Sequence, residues 1–117
     1  MARTYKRLGS VASGTADTFF TLVDAGGTNK NLINCIVLCN RTPQEGSAAT
    51  IGVSLMVSDS ASSCGYDDYL FDNIKIEAGK SVILNLGLIL NAADRYLIGK
   101  CNVADGLSAN SYGVILS

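Results

Sequence analysis

Apolar and polar residues alternate with a period of two along most of this chain, and that pattern predicts strands. From Leu32 to Asn40, the residues Ile33, Cys35, Val37 and Cys39 fall on one face, with Leu32, Ile36, Leu38 and two asparagines on the other. Between Ile51 and Ser58 the alternation sets Ile51, Val53, Leu55 and Val57 against Gly52, Ser54, Met56 and Ser58. Val82, Leu84, Leu86, Leu88 and Leu90 repeat it against Ser81, Asn85 and Gly87. The leucine-rich run 82–93 has good intrinsic helix propensity, but turn-bounded alternation favours a strand there.

Between these runs lie turn-forming residues: 24–29, 42–46, 59–65, 77–79 and 104–106 are rich in Gly, Asp, Asn, Ser and Thr. The pattern predicts strands near 4–9, 18–24, 31–41, 50–58, 68–76, 80–90, 95–103 and 111–117. About eight short strands joined by hairpin-length connections predict an all-β chain, a single antiparallel β-sandwich or jelly-roll-like domain. The lone proline, Pro43, falls in a predicted loop, where a sheet protein tolerates it. At 117 residues the chain holds one core, so residues 1–117 form a single domain, with about 1–12 read as a short amino-terminal arm.

Composition adds a reason to expect partners. Charged residues are 16% of the chain against about 25% in an ordinary soluble domain. Apolar residues are 48%, and the mean hydropathy is +0.28. A lone domain of this size needs more charge on its surface, so the shortfall points to surface covered by other chains, predicting an oligomer. The net charge of −1 exerts no general pull on nucleic acid or an anionic membrane, and neither is expected as a partner. The basic residues are unevenly placed: Arg3, Lys6 and Arg7 all lie in the first seven positions. These three, with Tyr5 and Leu8, are the interface candidates. A solvated tail is the plain reading of the segment, and an arm docking on an acidic neighbour the sharper one.

No secretory leader is expected, because 8–19 is interrupted by Gly, Ser, Thr and Asp, and no apolar run approaches the ~20 residues of a membrane helix. Synthesis in a host cytoplasm, with reduced thiols, follows as an expectation.

Candidate chemistry is sparse. The chain has no histidine and no tryptophan. Without histidine it lacks the usual neutral-pH general base and the commonest metal ligand, so no enzyme and no catalytic residue is predicted. Cys35 and Cys39 could seed a zinc site, but four residues along a strand set their Cα atoms about 13 Å apart. Zn–S bonds are about 2.3 Å, and disulfide-linked Cα atoms lie within about 7 Å. The four cysteines are therefore expected as inert, mostly buried thiols, with Cys64 the most exposed. Asp59, Asp67, Asp68 and Asp72 could offer oxygens to calcium, but a solvated acidic loop accounts for them better. No metal and no cofactor is predicted. Gly26-Gly27-Thr28 lacks the Lys-Ser/Thr ending of a phosphate loop and reads as a turn. Asn40-Arg41-Thr42 matches a glycosylation sequon, but without a leader the match carries little. The tyrosines at 5, 66, 69, 96 and 112 are expected to pack at core edges, or to form a carbohydrate-stacking platform.

Several segments carry a family likeness: Tyr5-Lys6-Arg7-Leu8-Gly9, Val37-Leu38-Cys39-Asn40-Arg41, Asp68-Tyr69-Leu70-Phe71-Asp72, Ile76-Glu77-Ala78-Gly79-Lys80-Ser81, Leu86 to Leu90, and Ser111-Tyr112-Gly113-Val114. In this order they resemble small virion structural proteins of tailed phages, notably those of marine cyanobacteria, over nearly the whole chain. The Ser-rich loop 58–65 and the extra cysteines depart from that group's pattern. The resemblance implies a component of the virion, on the head or the tail, with other virion proteins as partners. A capsid decoration or cement protein, as a symmetric homo-oligomer such as a trimer, is the leading expectation. A tail, neck or baseplate component and a glycan-binding surface module are the alternatives.

Overall fold

The computed structural model describes residues 3–26, 30–43 and 47–116, with side chains from residue 6 onward. Eight strands account for most of them: β1 (Arg3–Ala12), β2 (Phe20–Asp24), β3 (Lys30–Asn40), β4 (Ile51–Ser58), β5 (Tyr69–Ile76), β6 (Ser81–Leu90), β7 (Tyr96–Cys101) and β8 (Leu107–Leu116). A single turn of 3-10 helix, Tyr66–Asp68, precedes β5. No helix among the described residues is long and apolar enough to cross a membrane.

The strands form two four-stranded antiparallel sheets, ordered β1-β8-β3-β6 and β2-β7-β4-β5. The first strand pairs with the last, the second with the second-last, the third with the sixth and the fourth with the fifth. The chain is thus one long two-stranded ribbon wound around a single core, the winding of a jelly roll. The antiparallel, jelly-roll-like sandwich of eight strands is the architecture expected from the sequence. Only β4 and β5 follow each other within one sheet, and every other connection crosses to the facing sheet. Period-two patterning places strands, but it does not say which sheet each joins.

The core lies between the sheets. Ile33, Ile36 and Leu38 of β3 meet Ile51, Val53 and Leu55 of β4, with Leu97 and Leu107 from the flanking strands, all fully buried. The spacing within β3 differs from strict alternation. Its register against β8 and β6 shifts between Ile33 and Cys35, so Asn34 is an extra residue relative to β8. Past this bulge the inward face passes to Ile36, Leu38 and Asn40. Cys35, Val37 and Cys39, expected to share a face with Ile33, stay half-buried on the other side. A one-residue slip exchanges the two faces of a strand, which is why the uninterrupted pattern misassigned them.

The same disturbance crosses the sheet into β1, whose register with β8 shifts at Leu8. Here the expectation of an appended arm is corrected. The backbone from Arg3 to Ala12 is the edge strand of the first sheet, paired with β8 along its length. Gly9 lets β1 come close to β2, because a Cβ at that position would collide with the Leu22 carbonyl.

At the end of β3, buried Asn40 joins three segments. Its Nδ2 donates to the Ala49 carbonyl at 2.7 Å and the Ile76 carbonyl at 2.8 Å. Its Oδ1 accepts from Thr42 N at 2.9 Å and lies 2.7 Å from the Thr42 hydroxyl. Nearly every donor and acceptor site of this amide is used, so it fixes the approach to β4 and the end of β5 together. Asn40→Ala leaves those buried partners unsatisfied and is expected to destabilise the domain by about 3 kcal/mol in urea unfolding.

Removing residues 1–12 deletes an edge strand that carries Leu8 and Val11 against the core. The truncated chain is expected to lose its cooperative thermal transition in circular dichroism. Retention of a sharp transition would return the segment to the status of an arm.

Candidate functional site

A jelly roll ends in four open edges, and the chemistry of each decides what it can accept. The β1 edge carries exposed Lys6 and Arg7 and the shift at Leu8. β2 is five residues long and also shifts register. β5 carries Asp72 and Lys75, and its pairing with β4 shifts twice. Charges, brevity and bulges are the usual means of blocking edge-to-edge association.

β6 also shifts register, against β3, but it is guarded by neither charge nor brevity. Its ten residues, Ser81–Leu90, contain no charge and no proline. Ile83 and Ile89 on its outer face are 61% and 53% exposed. The inward row Val82, Leu84, Leu86 and Leu88 is only half-buried, although it faces the core. The sandwich is drawn together on the β1–β2 side. On the β5–β6 side the inward residues Phe71 and Ile74 are likewise half-buried.

The interface candidates from the sequence divide. Lys6 and Arg7 are exposed, and the Arg7 guanidinium is 3.5 Å from Asn110 Oδ1. Leu8 is drawn inward against the core. The side chains of Arg3 and Tyr5 lie outside the described residues.

A second feature has no signal in the sequence pattern. Met56 and Ile98 pair across β4 and β7, adjoin the core residues Leu55 and Leu97, and so point to the opposite face, yet both are fully buried. The β4–β5 connection folds back over that face, with Ser58 Oγ donating to the Ser63 carbonyl at 2.7 Å and the 3-10 turn packing on β4. Beside it opens a groove of about 420 Å³ lined by Phe19, Cys64, Gly65, Tyr66, Tyr69 and Lys100. Lys100 Nζ sits 5.7 Å from the Phe19 ring centre and 5.9 Å from that of Tyr69. Hydrogen bonding to Tyr69 raises the lysine above its ordinary pKa, against the opposing effect of burial, so it stays charged. Tyr66 projects almost wholly into solvent, at 98% exposure. Tyr66 and Tyr69 are two of the five tyrosines the sequence offers for core-edge packing or a carbohydrate-stacking platform, whereas Phe19 and Lys100 arrive from segments far away in the chain and carry no local signal.

The other singled-out residues serve the fold. Asp68 accepts from Gly65 N at 2.8 Å, and Asp72 from the Ser54 hydroxyl at 3.2 Å. No group of three or more potential metal ligands occurs among the described residues. All four cysteines are free, and three of them, Cys35, Cys39 and Cys64, are partly exposed rather than buried. Only Cys101 is enclosed, and burial pushes its thiol pKa up. Of the glycine turn, Gly27 and Thr28 lie outside the described residues, while Gly26 N donates to Asp24 Oδ1 at 2.9 Å. Asp24 also accepts two bonds from Arg95, at 2.6 and 3.1 Å, which hold its carboxyl below the usual range. This clip is solvent-exposed, so screening by water leaves it little weight in stability.

No protein-family model and no curated protein matches the chain. Among solved structures it is similar to chains of infectious bursal disease virus. A chain from the crystal structure of the T13 viral particle aligns with 97% of this chain at 12% identity and a TM-score of 0.48. Chains from the Gx and Gt strains align with 98% and 97% of it, at 9% and 11% identity, each with a TM-score of 0.43. This chain spans about a third of the length of those chains, 31%, 33% and 31% respectively.

Proposed function

We propose that this chain is a non-enzymatic structural protein of a phage particle, working as a homo-oligomeric capsid decoration or cement protein. The observation that carries the reading is the open β6 edge. A jelly roll with a long, uncharged edge strand, half-buried and bonded on one side only, is a unit shaped to be covered by neighbours. The low overall charge supports it. Jelly rolls serve shells and lectins alike, so the winding alone does not choose between them. A small sandwich that contacts several shell subunits at once gains by multivalency, which suits a clamp across joints in a shell.

Imaging of purified particles carrying the tagged protein tests this. Density for the domain repeated over the head surface is the expected result. Density confined to the tail, neck or baseplate overturns the decoration role, and absence from the particle overturns the virion reading altogether.

The groove of Phe19, Tyr66, Tyr69 and Lys100 favours a second reading, a glycan-binding surface module. Aromatic faces stack on sugar rings, and a charged lysine between two of them suits an acidic sugar. On a glycan array, this reading expects retention of acidic glycans that Tyr66→Ala and Lys100→Ala each abolish without lowering the melting temperature. An array with no retained glycan removes it.

A further inference from the structure

We propose that β6 pairs with itself: two copies of this chain join antiparallel along Ser81–Leu90, about a two-fold axis at Leu86, and merge their first sheets into one continuous sheet. This names the self-partner of the assembly role above and rests on that reading for its purpose.

β6 is an end strand, so the backbone N–H and C=O groups along its outer side have no strand to bond to within the sheet. Such an edge accepts another strand whenever side chains permit. Here they match a second copy in particular, because the strand reads nearly the same in both directions from Leu86. Leu84 corresponds to Leu88, Ile83 to Ile89, Val82 to Leu90, and Asn85 to Gly87. Antiparallel neighbours directly opposite each other share a face. In this register the outer isoleucines, Ile83 and Ile89, cover their counterparts in the other copy. The inward leucines meet leucines and continue the core row that now stops half-buried. The irregular pairing with β3 takes in Leu86, on the axis, and Gly87 beside it, leaving 81–85 and 88–90 regularly paired with β3.

The ends of the strand are complementary in charge. Exposed Lys80 immediately precedes β6, and exposed Asp94 lies in the turn that follows, closed by Asn91 N donating to the Asp94 carbonyl at 3.1 Å. Antiparallel pairing about Leu86 sets Lys80 of each copy against residue 92 of the other, one diagonal step from Asp94. The arrangement also closes. Each copy uses its β6 edge on the other, and the merged sheet ends on both sides in β1, where Lys6, Arg7 and the shift at Leu8 oppose further growth. An isologous edge of this kind yields a pair rather than the trimer expected of a decoration protein.

The test uses the full chain in analytical ultracentrifugation at micromolar concentration, with two variants. Wild type is expected at twice the chain mass. Ile83→Lys places a charge on an already exposed outer position, so it should keep the wild-type circular dichroism while weakening association about tenfold or more. Leu86→Cys should form an intermolecular 86–86 disulfide under mild oxidation, identified by peptide mapping, whereas Leu84→Cys, which faces residue 88, should not. A monomeric or trimeric wild type, unchanged association in Ile83→Lys, or failure of the 86–86 link in a protein that still dimerises would overturn the pairing. A monomeric chain located in particles sinks the pairing alone, and a dimer absent from particles sinks the virion reading alone.

Discussion

A one-residue dislocation runs across the first sheet of this domain, through Leu8 of β1 and Asn34 of β3, and the burial of the core depends on it. Without it, Ile33 and the pair Ile36–Leu38 would point to opposite faces, because their separation in sequence is odd. The bulge restores all three to the interior, where each is fully buried. It also turns Cys35 and Cys39 outward, leaving them partly exposed on a central strand. The strand that carries the bulge is bonded on both sides, to β8 and β6, so the dislocation is held by two ladders.

From this central strand the ribbon winds outward, and its four edges receive different treatment. Irregular pairing occurs at all four, but three are also guarded by charge or shortness, as edges of stable monomers are. β6 is long and apolar, and it borders the looser side of the sandwich. An edge that is costly to leave wet and a core that remains half-covered beside it are two descriptions of one deficit. Both are relieved by the same event, the arrival of another strand.

The face of the second sheet turned away from the core is treated in the opposite way. Its apolar residues, Met56 and Ile98, are fully buried within the chain, on the face where the β4–β5 connection folds back on β4, rather than left for a partner. That covering loop holds the aromatic groove at its margin, so burial of a second small apolar cluster and presentation of Tyr66 come from the same fold-back. The two surfaces are therefore distinct in kind: one is an edge lacking backbone partners, the other a groove of aromatic rings around a charged lysine.

The sequence by itself determined the all-β class and the approximate position of all eight strands, because period-two alternation and turn residues are local properties of the chain. The alternation from Val82 to Leu90 marked a strand there against the helix propensity of its leucines, and the turn residues around Pro43 placed it in a loop. A strand near 4–9 was legible, but local pattern could not show that it joins the sandwich rather than serving as an arm, since the pairing is with residues at the far end of the chain. Nor could it assign the faces of β3, where one inserted residue reverses the parity. That β6 is an edge, and that Phe19 and Lys100 meet Tyr69, were decided only by tertiary structure. Each depends on hydrogen bonding or packing between segments remote in sequence, and no pattern within either segment encodes its partner.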